Sequence, residues 1–335
     1  LVFDYCLEQL KNQIQYRQAA SVINNNVEIM KTDVQIGISN MSEGLLKIQD
    51  RFSSEVYIYD DGNDKKLGKY QNRKALRKKL GVIGIKTGIK SFDASGVGWL
   101  PGDLISFFAR PEIGKSLLLL WLAANAAIKG NRIIFFSPEM PKGDIELRLD
   151  VIMGKMMGYK FSHSALRKGD LINEDAYKEF LSKNSLKNIL IIDNEKESLT
   201  IPRIISLTKA HKPKAIFIDG LQILFIAAKG NAVWEKSFDS FYKVKSLCTN
   251  EKISAIVSTQ ANRSASDIFS PPKPHEVYGG DGMLQASDVA ISMSADESND
   301  KIRWLHFQKI RDGMPPTDKL RMIWDVDKGD IREDI

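Results

Sequence analysis

The sequence predicts an α/β protein with a mostly parallel central sheet flanked by helices, preceded by an N-terminal helical arm. Three observations carry this. From about Gly84 onward, short apolar runs ("DLISFFA", "RIIFFS", "NILIID", "AIFIDG", "SAIVST", "VAISMS", "IRWLHFQKI") alternate with helical stretches, as strands buried on both faces do. The first of these runs leads through a short loop into Gly-Lys-Ser at the start of an apolar helix. Residues 1 to about 60 read as helices, with apolar residues at helical spacing.

The bulk numbers agree with a folded chain. It has 335 residues, 43% hydrophobic and 27% charged, which excludes a disordered or fibrous protein. The net charge of +6 is compatible with a polyanionic partner without requiring one. Cys6 and Cys248 stand far apart and the four histidines are scattered, so no zinc site or disulfide framework is suggested. The start, "LVFDYCLEQL", lacks the basic and apolar segments of a signal peptide. The longest apolar run is too short to span a bilayer. A soluble, cytoplasmic protein without membrane contact is expected.

In the arm, Leu7, Leu10, Ile14, Ala20 and Ile23 predict one helix. A second, short helix is expected at "SEGLLKIQDRF", with Ser42 as its N-cap. Residues 61–83 hold Lys65, Lys66, Lys69, Arg73, Lys74, Arg77, Lys78 and Lys79. This run reads as a solvated linker, with a polyanion-facing segment as the alternative. The α/β domain is expected over 84–335.

The chemistry starts at "ARPEIGKSL": Ala109, Arg110, Pro111, Glu112, Ile113, Gly114, Lys115, Ser116 and Leu117. It matches the phosphate-loop pattern G-x-x-x-x-G-K-[ST] except at its first position, where Ala109 stands. A strand, a tight loop and a helix opening at Lys115 supply the required setting. Backbone N–H groups at the helix start face a phosphate, Lys115 reaches it, and the Ser116 hydroxyl suits Mg²⁺. Alanine costs little at position 109 if its dihedrals are those of a strand.

Asp219 ends the apolar run "KAIFID". A buried acid there is costly to desolvate and is best explained by Mg²⁺ or a water on it. Glu139 follows the strand after the phosphate-loop helix. The tip of a strand neighbouring the phosphate loop lies beside the phosphate site, so Glu139 is placed to polarise an attacking water; a surface-loop acid is the alternative. Gln260 follows "SAIVST" and suits a γ-phosphate sensor. In the strand "RWLHFQKIR", Lys309 and Arg311 are two apart and share a face; taken alone, they read as two solvent-facing cations on an edge strand.

Together these segments resemble the motor domain of DnaB-like replicative helicases. The resemblance rests on "ARPEIGKS", the S-x-E-M-P segment Ser137 to Pro141, "IDGLQ", "STQANR", and Lys309, Arg311 and Gly313 in K-x-R-x-G. It runs in order over roughly Gly84 to Arg332. It implies a RecA-like P-loop ATPase that uses ATP and Mg²⁺, assembles as a homohexamer and translocates 5′ to 3′ on single-stranded DNA to unwind forked duplex. Primase and a helicase loader are the implied partners. Lys309 and Arg311 would act on the neighbouring subunit's γ-phosphate. The arm would be the end of an N-terminal domain with the linker helix. For DNA, the resemblance points to Tyr278, Gly279, Gly280, Asp281 and Gly282, to Arg263, and to Lys229 after Asp219. Where many relatives have an arginine and an acid, this chain has Tyr278 and Gly279. That suggests backbone N–H groups as the grip, or simply a flexible glycine loop. A RecA-fold recombinase-like ATPase without unwinding activity is the alternative function. A phage source fits the abundance of Lys, Ile and Asn.

Overall fold

The computed structural model describes residues 2–52, 63–226, 233–262, 267–277, 280–311 and 317–335. The chain divides into two compact units, Leu1–Gln71 and Asn72–Ile335. Among the described residues no helix is long and apolar enough to cross a membrane.

The first unit contains α1 (Val2–Thr32) and α2 (Val34–Phe52), packed against each other. The expected cap at Ser42 is corrected: Ser42 lies inside α2. The break is at Asp33, whose Oδ1 accepts the Ile36 N–H at 3.0 Å, the bond an N-cap makes to the third helical residue. Gly44 then lets the helices approach, since a Cβ there would lie 2.6 Å from Val22 Cγ1.

The segment expected as a linker holds a helix, α3 (Asn63–Leu80). Its Lys, Arg, Leu, Ala and Gln residues are good helix formers. Arg77, Lys78 and Lys79 fill its last turn, where cations complement the helix dipole. Gly81, at φ +80°, ends it by donating its N–H to the Arg77 carbonyl at 2.8 Å, a position that favours glycine.

The α/β unit continues with α4 (Lys90–Ala94), β1 (Leu104–Ala109), α5 (Lys115–Ile128), β2 (Ile133–Ser137), α6 (Lys142–Met156), α7 (His163–Lys168), α8 (Glu174–Leu181), β3 (Ile189–Asp193), α9 (Ile201–His211), β4 (Ala215–Ile218), α10 (Leu221–Ile226), α11 (Val233–Glu251), β5 (Ser254–Gln260), α12 (Gly280–Ala286), β6 (Val289–Ala295), β7 (Ile302–Ile310), β8 (Lys319–Asp325) and β9 (Asp330–Glu333). The strands form one sheet in the order β3-β2-β4-β5-β1-β6-β7-β8-β9. Pairing is parallel from β3 to β6 and antiparallel from β6 to β9. The strands β1, β2, β4 and β5 are buried almost throughout, which explains their unbroken apolar runs. One apolar layer lies under α5 and α6, the other under α9, α11 and α12.

This order corrects one expectation. β2 is not the neighbour of β1, because β4 and β5 stand between them. The chain leaves β1 through α5 and crosses over two strand positions before re-entering the sheet. The two antiparallel strands β8 and β9 were not anticipated. β8, "KLRMIWD", alternates exposed and buried residues over its first four positions, the signature of a strand with one solvent-facing side.

Candidate active site

Ala109 is the last residue of β1, wholly buried and paired with Gln260 of β5. Its φ is not positive, so the alanine sits in ordinary strand backbone. The turn is made further on, by Glu112 at φ +65° and Gly114 at φ +108°. Gly114 has a second reason to be glycine: a Cβ would come within 2.6 Å of the Trp324 ring on β8.

The loop is braced from two sides. Arg110 donates from Nη1 to the Asn262 carbonyl at 2.7 Å, just past β5. Arg303, at the start of β7, donates from Nε to the Ile113 carbonyl at 2.9 Å. Lys115 opens α5, and its Nζ donates to the carbonyls of Ala109 at 3.2 Å and Arg110 at 2.9 Å. Burial pulls the Lys115 ammonium down to about 8, against the opposing pull of the Asp219 and Glu139 carboxylates. An anion bound in the loop stabilises the protonated form, so binding is linked to proton uptake once the pH passes 8. The Kd for ATP is expected to rise about tenfold between pH 7 and pH 9. Fluorescent-nucleotide titrations on the chain and on Lys115→Arg check this, the arginine variant losing the dependence.

Asp219 lies just past β4 with 1% of its surface exposed. Its Oδ1 accepts the Ser258 hydroxyl at 2.8 Å, while Oδ2 has no hydrogen-bond partner. Burial raises its carboxyl, and the hydroxyls of Ser116 and Ser258 act the other way. An unpartnered buried oxygen beside a serine hydroxyl suits a hard cation. Among the described residues no group of three or more His, Cys, Asp or Glu side chains could hold a metal. A Mg²⁺ here would rest on Asp219, Ser116 and the phosphates of a nucleotide, as Mg²⁺ commonly does.

Glu139 reaches this place although β2 is not beside β1. Its Oε2 lies 3.7 Å from where a Cβ on Gly220 would be. The Asp219 N–H donates to the Phe136 carbonyl at 3.0 Å, tying the tips of β2 and β4 together. Ser137 shapes the turn: its Oγ donates to the Met140 carbonyl at 2.8 Å and accepts the Met140 N–H at 3.1 Å. Lys115, Ser116, Asp219, Glu139 and Gln260 thus gather at one end of the sheet.

Lys309 and Arg311 are at the other end. Lys309 donates from Nζ to the Leu284 carbonyl at 2.7 Å. Arg311 pairs with Asp288 Oδ1 at 2.8 Å and also donates to the Gln285 carbonyl. Asp288 in turn accepts the N–H of Leu104, the first residue of β1, at 2.8 Å. The six residues of β1, about 17 Å of extended strand, separate this pair from the phosphate loop of its own chain. The two cations share a face, as expected, even though Arg311 falls just beyond β7.

Of the residues expected at DNA, Lys229, Arg263, Tyr278 and Gly279 lie outside the described residues, as does Gly313. Gly280, Asp281 and Gly282 open helix α12 rather than a glycine loop. Gly282 is buried, and a Cβ there would lie 2.9 Å from Phe238 Cδ2 on α11, so packing already accounts for that glycine. Sequence reading gave no role to Ser258 or Ser137. For Ser137 the available signal was a serine ending an apolar strand run two residues before an expected acid; Ser258 carries no such acid near it in sequence.

Residues 84–325 match the model of the DnaB-like helicase C-terminal domain. The chain is 25% identical to "Replicative DNA helicase DnaB" of Geobacillus stearothermophilus over 77% of its own length and 59% of that protein's. It is 24% identical to "Replicative DNA helicase DnaC" of Bacillus subtilis (strain 168), over 85% and 63%. It therefore spans about three-fifths of the length of these curated relatives. A solved structure described as a DnaB-like replicative helicase and its interactions with primase superimposes with TM-score 0.73 at 18% identity, covering 99% of this chain and 79% of that one; this likeness speaks for the fold. With the phosphate loop, the buried Asp219 and the matched span in agreement, the chain belongs to the DnaB-like helicase C-terminal domain family.

Proposed function

We propose that this chain is the ATP-driven motor of a replicative DNA helicase, working as a homohexameric ring. The observation that carries the proposal is the separation within one chain of a nucleotide site from the cation pair Lys309 and Arg311. The loop N–H groups and Lys115 hold the phosphates of ATP. A Mg²⁺ held by Ser116 and Asp219 would neutralise charge on the phosphates. Glu139 orients and deprotonates the attacking water, and Gln260 senses the γ-phosphate. Lys309 and Arg311 stabilise transition-state charge at the neighbouring chain's site. Hydrolysis then draws single-stranded DNA through the ring, 5′ to 3′, and forces apart the duplex at a fork. The segments around Lys229, Arg263 and Tyr278 to Gly280 would face the strand and bind it without reading sequence. Residues 1–60 would serve as the arm that joins this motor to a further domain, and residues 61–83 as the connection. A primase and a loader complete the partner set, in a bacterial cytoplasm or that of a phage-infected host.

The test is a forked duplex with a 5′ tail, incubated with ATP and Mg²⁺. Strand separation is expected, and none with Lys115→Ala. ATP hydrolysis stimulated by single-stranded DNA but without strand separation would favour the recombinase-like reading. Turnover that survives Lys115→Ala would remove the phosphate-loop assignment.

A further inference from the structure

We infer that Ser258 is a positioning residue for Asp219, fixing its carboxylate so that one oxygen is committed to the protein and the other is left for a metal ion. The inference rests on the nucleotide-site reading above and assigns a role to a residue outside it.

Ser258 is buried in β5, with 1% of its surface exposed. A hydroxyl in such a strand is costly to desolvate unless it is bonded, and this one is bonded twice. Its Oγ accepts the Gly220 N–H at 2.7 Å and donates to Asp219 Oδ1 at 2.8 Å. The directions follow from the groups involved. An amide N–H can only donate, so the serine oxygen accepts from it and its single proton is free for the carboxylate. Such a bond is strongest to an ionised acceptor. It also opposes rotation of the carboxylate, because a turn about Cβ–Cγ would break it. Asp219 Oδ2 remains buried and without a partner.

The placement adds a second consequence. Ser258 and Gln260 are two apart on β5 and share a face, the face that carries Ile256 into the apolar layer under α5. One strand thus fixes the spacing between the group that aims the metal carboxylate and the side chain assigned to the γ-phosphate.

The test uses Mn²⁺ as a spectroscopic stand-in for Mg²⁺. Its affinity is measured by electron paramagnetic resonance on the chain saturated with a non-hydrolysable ATP analogue. Parent, Ser258→Ala, Ser258→Thr and Asp219→Asn are compared. The analogue's binding in EDTA and the thermal melt are followed in parallel. Ser258→Ala is expected to weaken Mn²⁺ binding roughly 10- to 100-fold with metal-free analogue binding unchanged, and Ser258→Thr, which keeps the hydroxyl, to restore most of the affinity. If the alanine variant does not fold, Ser258→Cys, similar in size and a weak donor, carries the same expectation. Parental Mn²⁺ affinity in the Ser258 variants alongside a large loss in Asp219→Asn overturns the inference and leaves the site reading intact. Parental affinity in Asp219→Asn overturns the metal assignment itself. A Ser258→Ala chain that loses metal-free analogue binding as well shows a general structural role, which also overturns the inference.

Discussion

A chain carrying Arg311→Ala is expected to keep its fold and its affinity for ATP while losing turnover by about 10³-fold or more. The fold survives because Arg311 is a replaceable partner. Its side chain is 45% exposed, and an ion pair at that exposure contributes little to stability. Asp288, the buried partner, keeps Lys245 and the Leu104 N–H. ATP affinity survives because the guanidinium lies at the opposite end of β1 from the phosphate loop that binds ATP. On the proposed reading, turnover falls because the cation serves the site of another molecule. The decisive measurement is a mixture. Lys115→Ala chains lack a working loop but still offer Arg311, whereas Arg311→Ala chains offer the reverse. Mixed before assembly, they should regain a measurable fraction of the parental rate that neither shows alone. A mixture as inactive as its components, or a parental rate in Arg311→Ala alone, would take Arg311 out of the chemistry.

Glu139→Gln is expected to lower ATP turnover by about 10²- to 10⁴-fold, with nucleotide binding and melting temperature unchanged. The side chain is exposed, and the turn that presents it is made by Ser137 and the Met140 backbone. On the proposed reading, the substitution removes a base and leaves its mounting in place. Its carboxylate contributes to the field at Lys115, so a small increase in affinity for ATP is compatible with the assignment, since a negative charge leaves the site. Single-turnover quench experiments separate the steps, and an unchanged chemical step would refute the role of Glu139.

Much of this site could be read from local chain chemistry. Gly-Lys-Ser after an apolar run, and an acid closing another, are short-range signals, and Ala109 and Asp219 lie where those signals put them. The exchange of glycine for alanine at 109 is tolerated because strand backbone continues to that residue and the positive φ values fall at Glu112 and Gly114. What could not be read is long-range. Nothing in "RIIFFS" says that two strands intervene between it and β1. Glu139 reaches the site because β2 lies beside β4, and its tip bonds to Asp219. Ser258 was hidden for a related reason: it matters through Asp219 on another strand. The helix ends show the local limit. Ser42 looked like a cap because of the residues around it, but Asp33 was the residue in capping geometry, and α2 runs straight through position 42.

The switch from parallel to antiparallel pairing at β6 has a consequence for how copies of this chain add up. β6 starts beside the start of β1, and β7 returns to that point, so Lys309 and Arg311 are delivered opposite the phosphate loop. On the proposed reading the molecule has a socket at one end and a plug at the other, and contacts between copies are head-to-tail. Such contacts either close on themselves or continue as a helix. A closed ring completes as many nucleotide sites as it has members, an open row leaves one site unfinished, and a lone chain completes none. Turnover per chain should therefore fall steeply on dilution, a concentration dependence that comes from strand direction.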